Sequence, residues 1–127
     1  MKEEGCVFCS IAAGRLPSHK VYEDGEHVAF LDIYPVARGQ TLVVPKKHTG
    51  SKFYETDDKE LTGLVIAAKK VANMLVKKLP AKHVSMVFEG LDVNHLHAKL
   101  YPDRGIMHLG ERASDSELAE IAKRISE

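Results

Sequence analysis

Between residues 57 and 80 the apolar positions recur at helical spacing. Leu61, Leu64, Val65, Ala68, Val71, Ala72, Leu75 and Leu79 form one stripe. Asp57 with Glu60 three residues on is a capping pattern, and Pro80 stops the helix. The remaining apolar runs are short and read as strands. Lys20–Glu23 and His27–Asp32 flank Asp24-Gly25, a pair that tolerates positive φ and so predicts a hairpin. After a loop bracketed by Pro35 and Gly39, Gln40–Val44 predicts a buried strand closed by Pro45. Two further strands are expected, at about Val84–Phe88 and from about His95 to Tyr101, separated by a Gly90 turn and ended by Pro102. A short helix is predicted within Cys6–Arg15, ended by Gly14 and Pro17. A terminal helix begins near Ser116 and carries Leu118, Ile121, Ala122 and Ile125 on one face.

The order of these elements predicts an α+β domain, an antiparallel sheet of about five strands with one long helix, a C-terminal helix, and the helices on one side. The chain has 127 residues, 44% hydrophobic and 28% charged, enough for one packed core. No repeat, linker or low-complexity tract divides it, so residues 1–127 are read as a single domain.

Charge narrows the partners. Lys plus Arg equal Asp plus Glu at 18 each, which argues against a binder of duplex nucleic acid but leaves room for a local phosphate pocket. The charged start Met1–Gly5, followed by an apolar stretch broken at Gly14 and Arg15, is unlike a secretory signal. Nothing approaches the ~20 apolar residues of a membrane span. The two cysteines, Cys6 and Cys9, cannot build a disulfide framework, so a reducing, cytoplasmic home is expected.

The strand carrying the chemistry is the last one. Alternation along it sends His95, His97, Lys99 and Tyr101 to one face and Leu96, Ala98 and Leu100 to the other, into the core. Side chains about 7 Å apart then form a cationic, hydrogen-bonding ridge suited to phosphate oxygens, although a solvated strand face has the same composition.

His95-Leu96-His97-Ala98-Lys99-Leu100-Tyr101 resembles the signature of the histidine triad (HIT) superfamily, His-x-His-x-His followed by two apolar residues, with Lys99 in place of the third histidine. The likeness extends from Cys6 to about Pro102 through Val21–Asp24, Ala29–Ile33 and Leu42–His48. It implies the HIT-like fold, commonly a two-fold homodimer, and a purine nucleotide or dinucleotide as ligand. By the same resemblance His97 is the nucleophile that attacks an α-phosphate and forms a nucleotidyl-histidine. A dinucleoside polyphosphate or nucleoside phosphoramidate would be the substrate of such a hydrolase or transferase. Neutral imidazole suits that role near pH 7. Base and ribose are expected near Phe30 and Ile33, with Asp32 accepting from the ribose hydroxyls.

Lys99 departs from the family pattern. It either stabilises the transition state as a point charge or only anchors the ligand, which would leave a nucleotide-binding sensor or interaction module with little catalysis. The loop before the motif is short, only Leu91-Asp92-Val93-Asn94 after Glu89-Gly90, and Phe88 stands where many relatives carry Asn. Asn94 is the residue there that could serve a phosphate.

Cys6-Val7-Phe8-Cys9 fits a metal pair, a redox pair or two buried thiols, and the spacing alone does not decide. The resemblance adds His48 and His95, giving Cys6, Cys9, His48 and His95 as ligands of a structural zinc and a second duty for His95 beside His97 and Lys99. His19, His27, His83 and His108 are read as surface residues in loops or at strand edges, and Lys46, Lys47 and Lys52 as a solvated basic cluster.

Overall fold

The computed structural model describes residues 5–104 and 110–127; His108 lies outside them. Five strands form one antiparallel sheet in the order β1-β2-β3-β5-β4: β1 Lys20–Glu23, β2 His27–Leu31, β3 Thr41–Pro45, β4 Val84–Val87 and β5 Ala98–Pro102. The helices are α1 Val7–Ala12, α2 Asp58–Lys78 and α3 Asp115–Ser126, with a short 3-10 turn at Phe53–Glu55. Asp57 caps α2 by accepting from the Glu60 amide at 2.8 Å, as the sequence pattern requires.

The sheet is covered on both faces, not one. α2 lays Leu64, Ala67, Ala68, Val71 and Leu75 over Ala29, Val43, Leu96, Ala98 and Leu100. On the opposite face Phe8 of α1 packs with Val28, Phe30, Leu42 and Val44. The cause is legible in β2 and β3, whose consecutive residues Val28-Ala29-Phe30 and Leu42-Val43-Val44 are apolar on both faces and must be buried on both. The terminal helix forms, but nothing in it is buried.

The last strand begins later than expected. Ladder pairing of β5 to β3 runs from Thr41↔Leu100 to Val43↔Ala98 and no further. Beyond it the Leu96 amide donates to Thr49 O at 2.7 Å and the His95 ring reaches Pro45 O at 2.8 Å. These two bonds take the backbone groups that a longer ladder would have used. The alternation of side chains nevertheless continues through this segment, so Leu96 stays in the α2 core while His97 and Lys99 belong to the α1 face.

Candidate active site and metal centre

The helix α1 brings the two cysteines against His95, in the segment that leads into β5. Cys6 is its N-cap, its Sγ accepting from the Cys9 amide, and Cys9 lies one turn on, fully buried. Cys6 Sγ lies 3.3 Å from His95 Nδ1, and Cys9 Sγ lies 3.3 Å from His48 Nδ1 and 3.5 Å from His95 Nδ1. All four donor atoms fall within 4.8 Å of one another. A tetrahedral zinc with ordinary Zn–S and Zn–N bonds separates sulfur from nitrogen by about 3.6 Å, so this cluster has the dimensions and the Cys2His2 chemistry of a metal site. His95 is also oriented as a ligand should be. Pro45 O can only accept, so Nε2 carries the proton and Nδ1 turns its lone pair toward the sulfurs. Burial pushes the Cys6 thiol up from its ordinary value, so a bound cation must displace a proton held more firmly than usual.

The same backbone that holds His95 sets the state of His97. His97 Nδ1 lies 2.6 Å from His95 O, an acceptor, so Nδ1 carries the proton and Nε2 is left with a lone pair. Nε2 is buried and has no hydrogen-bond partner among the described residues. Phe8 meets the ring edge to face at 5.1 Å. Burial foremost, and then the Lys99 ammonium, hold the imidazole below its ordinary pKa, against the pull of its bond to His95 O. Near neutral pH the side chain is therefore an uncharged base with one nitrogen unused.

His97 lines a cavity of about 440 Å³ between α1 and the sheet. Its wall is mostly apolar, with Phe8, Ile11, Phe30 and Leu42 below and Ile33 and Tyr34 at the rim. Ser18, Asp32, Asp92, His97 and Lys99 supply the polar groups. Asp32 accepts from the Tyr34 amide at 2.9 Å and from Gln40 Nε2 at 2.7 Å, which fixes its carboxylate at the cavity. Lys99 Nζ sits 3.6 Å from Glu89 and 3.9 Å from Asp92, and Asp92 Oδ1 lies 4.0 Å from His97 Nε2. The cavity thus offers an apolar slot, a fixed carboxylate, an ammonium and a free imidazole nitrogen.

Phe30, Asp32, Ile33, His97 and Lys99 come together in this cavity. Asn94 does not join them. Its Oδ1 accepts from the Ser51 amide at 3.0 Å, and its side chain lines a separate groove with Thr49, Gly50 and Lys52. Among the contributors to the cavity that were not apparent from sequence are Phe8 and Asp92. Phe8 lies inside the Cys-x-x-Cys segment, and Asp92 in the loop just before the motif; proximity to those motifs was their only signal.

His27 is buried, not on the surface. Its ring approaches both Asp24 carboxylate oxygens, at 3.1 and 3.2 Å. Burial pushes the Asp24 carboxyl up, but bonds from the Glu26 amide, Tyr22 hydroxyl and His27 outweigh it and hold Asp24 well below the carboxylate range. Lys46 pairs with Glu23 and Lys47 with Glu60, each at 2.7 Å. These lysines serve the frame around β3 and α2.

The sequence and fold have counterparts among known proteins. The model of a family described as the HIT domain matches residues 13–105. An uncharacterized HIT-like protein of Methanocaldococcus jannaschii is 39% identical over 94% of this chain and 98% of its own. The adenosine 5'-monophosphoramidase HNT1 of Saccharomyces cerevisiae is 35% identical over 80% of this chain and 65% of its own. A crystal structure of a member of the HIT family from Bacillus subtilis superposes with a TM-score of 0.80 at 31% identity, covering 97% of this chain and 96% of that one.

Proposed function

This chain belongs to the HIT domain family, and from that premise we propose that it is a nucleotidyl hydrolase or transferase with His97 as nucleophile. Its substrate is a purine dinucleoside polyphosphate or nucleoside phosphoramidate. One observation carries the reading. The buried Nε2 of His97 keeps a lone pair, and His97 lines a cavity that has an apolar slot, the Asp32 carboxylate and Lys99. Family membership supports it as well, since a yeast relative is named as a phosphoramidase.

The base lies in the slot formed by Phe30, Ile33 and Leu42, and Asp32 accepts from the ribose. The Nε2 lone pair attacks the α-phosphorus. The bond from phosphorus to the leaving nitrogen or oxygen breaks, and the leaving group takes the electron pair and a proton from solvent. His97 then bears a positive charge while Nδ1–H still donates to His95 O, which steadies the imidazolium. Lys99 sits where it can meet the charge spreading over the phosphoryl oxygens. In the second step water adds to phosphorus, the P–N bond to His97 breaks, and the imidazole recovers its lone pair as the excess proton leaves to solvent. Products are a nucleoside monophosphate and the released leaving group.

Cys6, Cys9, His48 and His95 would hold a zinc ion that serves as structural support for the segment bearing His97. The thiols are best kept in a reducing, cytoplasmic setting, and the working unit is a homodimer. A second reading keeps nucleotide binding without turnover, because Lys99 is already paired with Glu89 and Asp92. A His97→Ala variant separates the two. The enzyme reading expects turnover to vanish while calorimetry still registers AMP binding. Turnover by His97→Ala at the parent rate would refute the mechanism, and a parent protein that binds AMP but turns over nothing would favour the second reading.

A further inference from the structure

Beside the nucleophile the cavity is acidic. Asp92 lines it 4.0 Å from His97 Nε2, and Asp92 and Glu89 share a single ammonium, that of Lys99, at 3.9 and 3.6 Å. Exposure orders the group: the Lys99 side chain is 13% exposed, and that of Asp92 66%. The ammonium lies within, against the sheet, and the carboxylates stand toward solvent.

A phosphoryl group held at His97 Nε2 competes with both carboxylates for Lys99. The nucleoside occupies the apolar slot on one side of phosphorus. The leaving group must extend the other way, toward open solvent, where Asp92 and Glu89 stand. Once Lys99 has turned to the phosphoryl oxygens, these carboxylates are two negative charges with no other ammonium or guanidinium within ion-pair distance among the described residues. A polyphosphate leaving group adds several negative charges to that spot. A leaving group bearing a protonated amine supplies the charge that Lys99 has withdrawn. The unpartnered, buried Nε2 lies 4.0 Å from Asp92, which sets this acidic pair apart from a simply solvated loop.

We infer that Asp92 and Glu89 are specificity-determining residues that select a cationic leaving group, so that the preferred substrate is a nucleoside phosphoramidate whose amine carries a further positive charge. This rests on the nucleotidyl-transfer reading given above. The reaction is unchanged by it. The P–N bond breaks, the amine leaves with the electron pair and a proton from solvent, and its second, already protonated amine faces the two carboxylates.

Three adenosine substrates test it: the phosphoramidate of a diaminoalkane, that of an uncharged alkylamine of equal length, and diadenosine tetraphosphate. The parent should show kcat/KM about tenfold higher for the diamine than for the alkylamine at low salt, since each exposed charge pair is worth up to about fivefold. Asp92→Asn and Glu89→Gln should each cut that ratio about threefold, and the double variant should bring it near one and improve use of the tetraphosphate. Raising ionic strength should flatten the ratio in the parent. A ratio between two substrates of one protein does not depend on the fraction folded, so a damaged variant still gives an answer. A parent ratio of one, or a ratio unmoved in the double variant while the alkylamine substrate is still turned over, overturns charge selection and leaves nucleotidyl transfer standing. No turnover of any of the three, with AMP still bound, overturns both.

Discussion

Removing one sulfur from the Cys6, Cys9, His48, His95 cluster should uncouple the fold from zinc. Cys9 is the choice, because its Sγ lies within 3.5 Å of both His48 and His95 and its side chain is buried. The domain has a core of its own, so the metal adds stability by linkage instead of creating the fold. With free zinc at a hundred times its dissociation constant the native state gains about 2.7 kcal/mol. For a chain of this length that corresponds to a rise in melting temperature of roughly 8–14 °C. Cys9→Ala leaves three ligands, so at the same zinc concentration the increment should fall close to zero. Scanning calorimetry of chelator-treated protein, with and without added zinc, measures the increment and cancels the packing cost of the lost sulfur. Cobalt in place of zinc should give thiolate-to-metal absorption in the parent and weaken it in the variant. Because burial raises the Cys6 thiol, metal uptake should strengthen as pH rises. No zinc increment in the parent, or equal increments in parent and Cys9→Ala, would refute a metal centre here.

Three further outcomes follow from the site. Phe8→Ala removes a ring that touches both His97 and Phe30, at 5.1 and 5.6 Å, so urea unfolding should register a loss of about 3 kcal/mol and KM for nucleotide should rise. Gly90 has φ of 68°, and a Cβ there would lie 2.8 Å from the Ser51 carbonyl oxygen. Gly90→Ala should therefore cost at least about 1–2 kcal/mol by denaturant titration and lower kcat through the loop that carries Asp92. His97 is held below its ordinary pKa of 6.5 by burial and Lys99, so the acid limb of kcat/KM should lie below pH 6.5 and move upward in Lys99→Gln. The sign for stability agrees. The unfolded chain binds the proton first, so stability falls as pH drops from about 6.5 toward the folded value and levels off below it. An acid limb at or above pH 6.5 would contradict the buried, neutral imidazole.

Much of this arrangement was legible in the residues. The stripe from Leu61 to Leu79, the Asp57 cap and the Asp24-Gly25 turn each express one local rule, and each produced its element. Alternation placed Leu96 in the core and His97 with Lys99 on the opposite face, even though the ladder stops at Ala98. Its end was not legible because it depends on His95 and Thr49 capturing backbone groups 50 and 47 residues away. The second layer was hidden for a related reason: a six-residue helix carries too little pattern to show which face it will cover. Asn94 looked suitable for phosphate by type, but the Ser51 amide that claims it is remote in sequence. His27 was misplaced because its ring lies beside Gly63 of α2, an element remote in sequence, where an added Cβ would meet the ring at 3.6 Å. Cys6 and Cys9 were one possible metal pair by spacing and His48 and His95 came from family resemblance, whereas the convergence of all four to within 4.8 Å is a property of the folded chain.

The central claim is that His97 accepts the nucleotidyl group. Intact-mass measurement tests it most directly: the protein is mixed with adenosine phosphoramidate or diadenosine tetraphosphate and quenched in base, which preserves the acid-labile P–N bond. The parent should gain the mass of one adenylyl group and His97→Ala none. The same adduct in His97→Ala, or substrate consumed by the parent with no adduct at any time down to the first turnover, would contradict it.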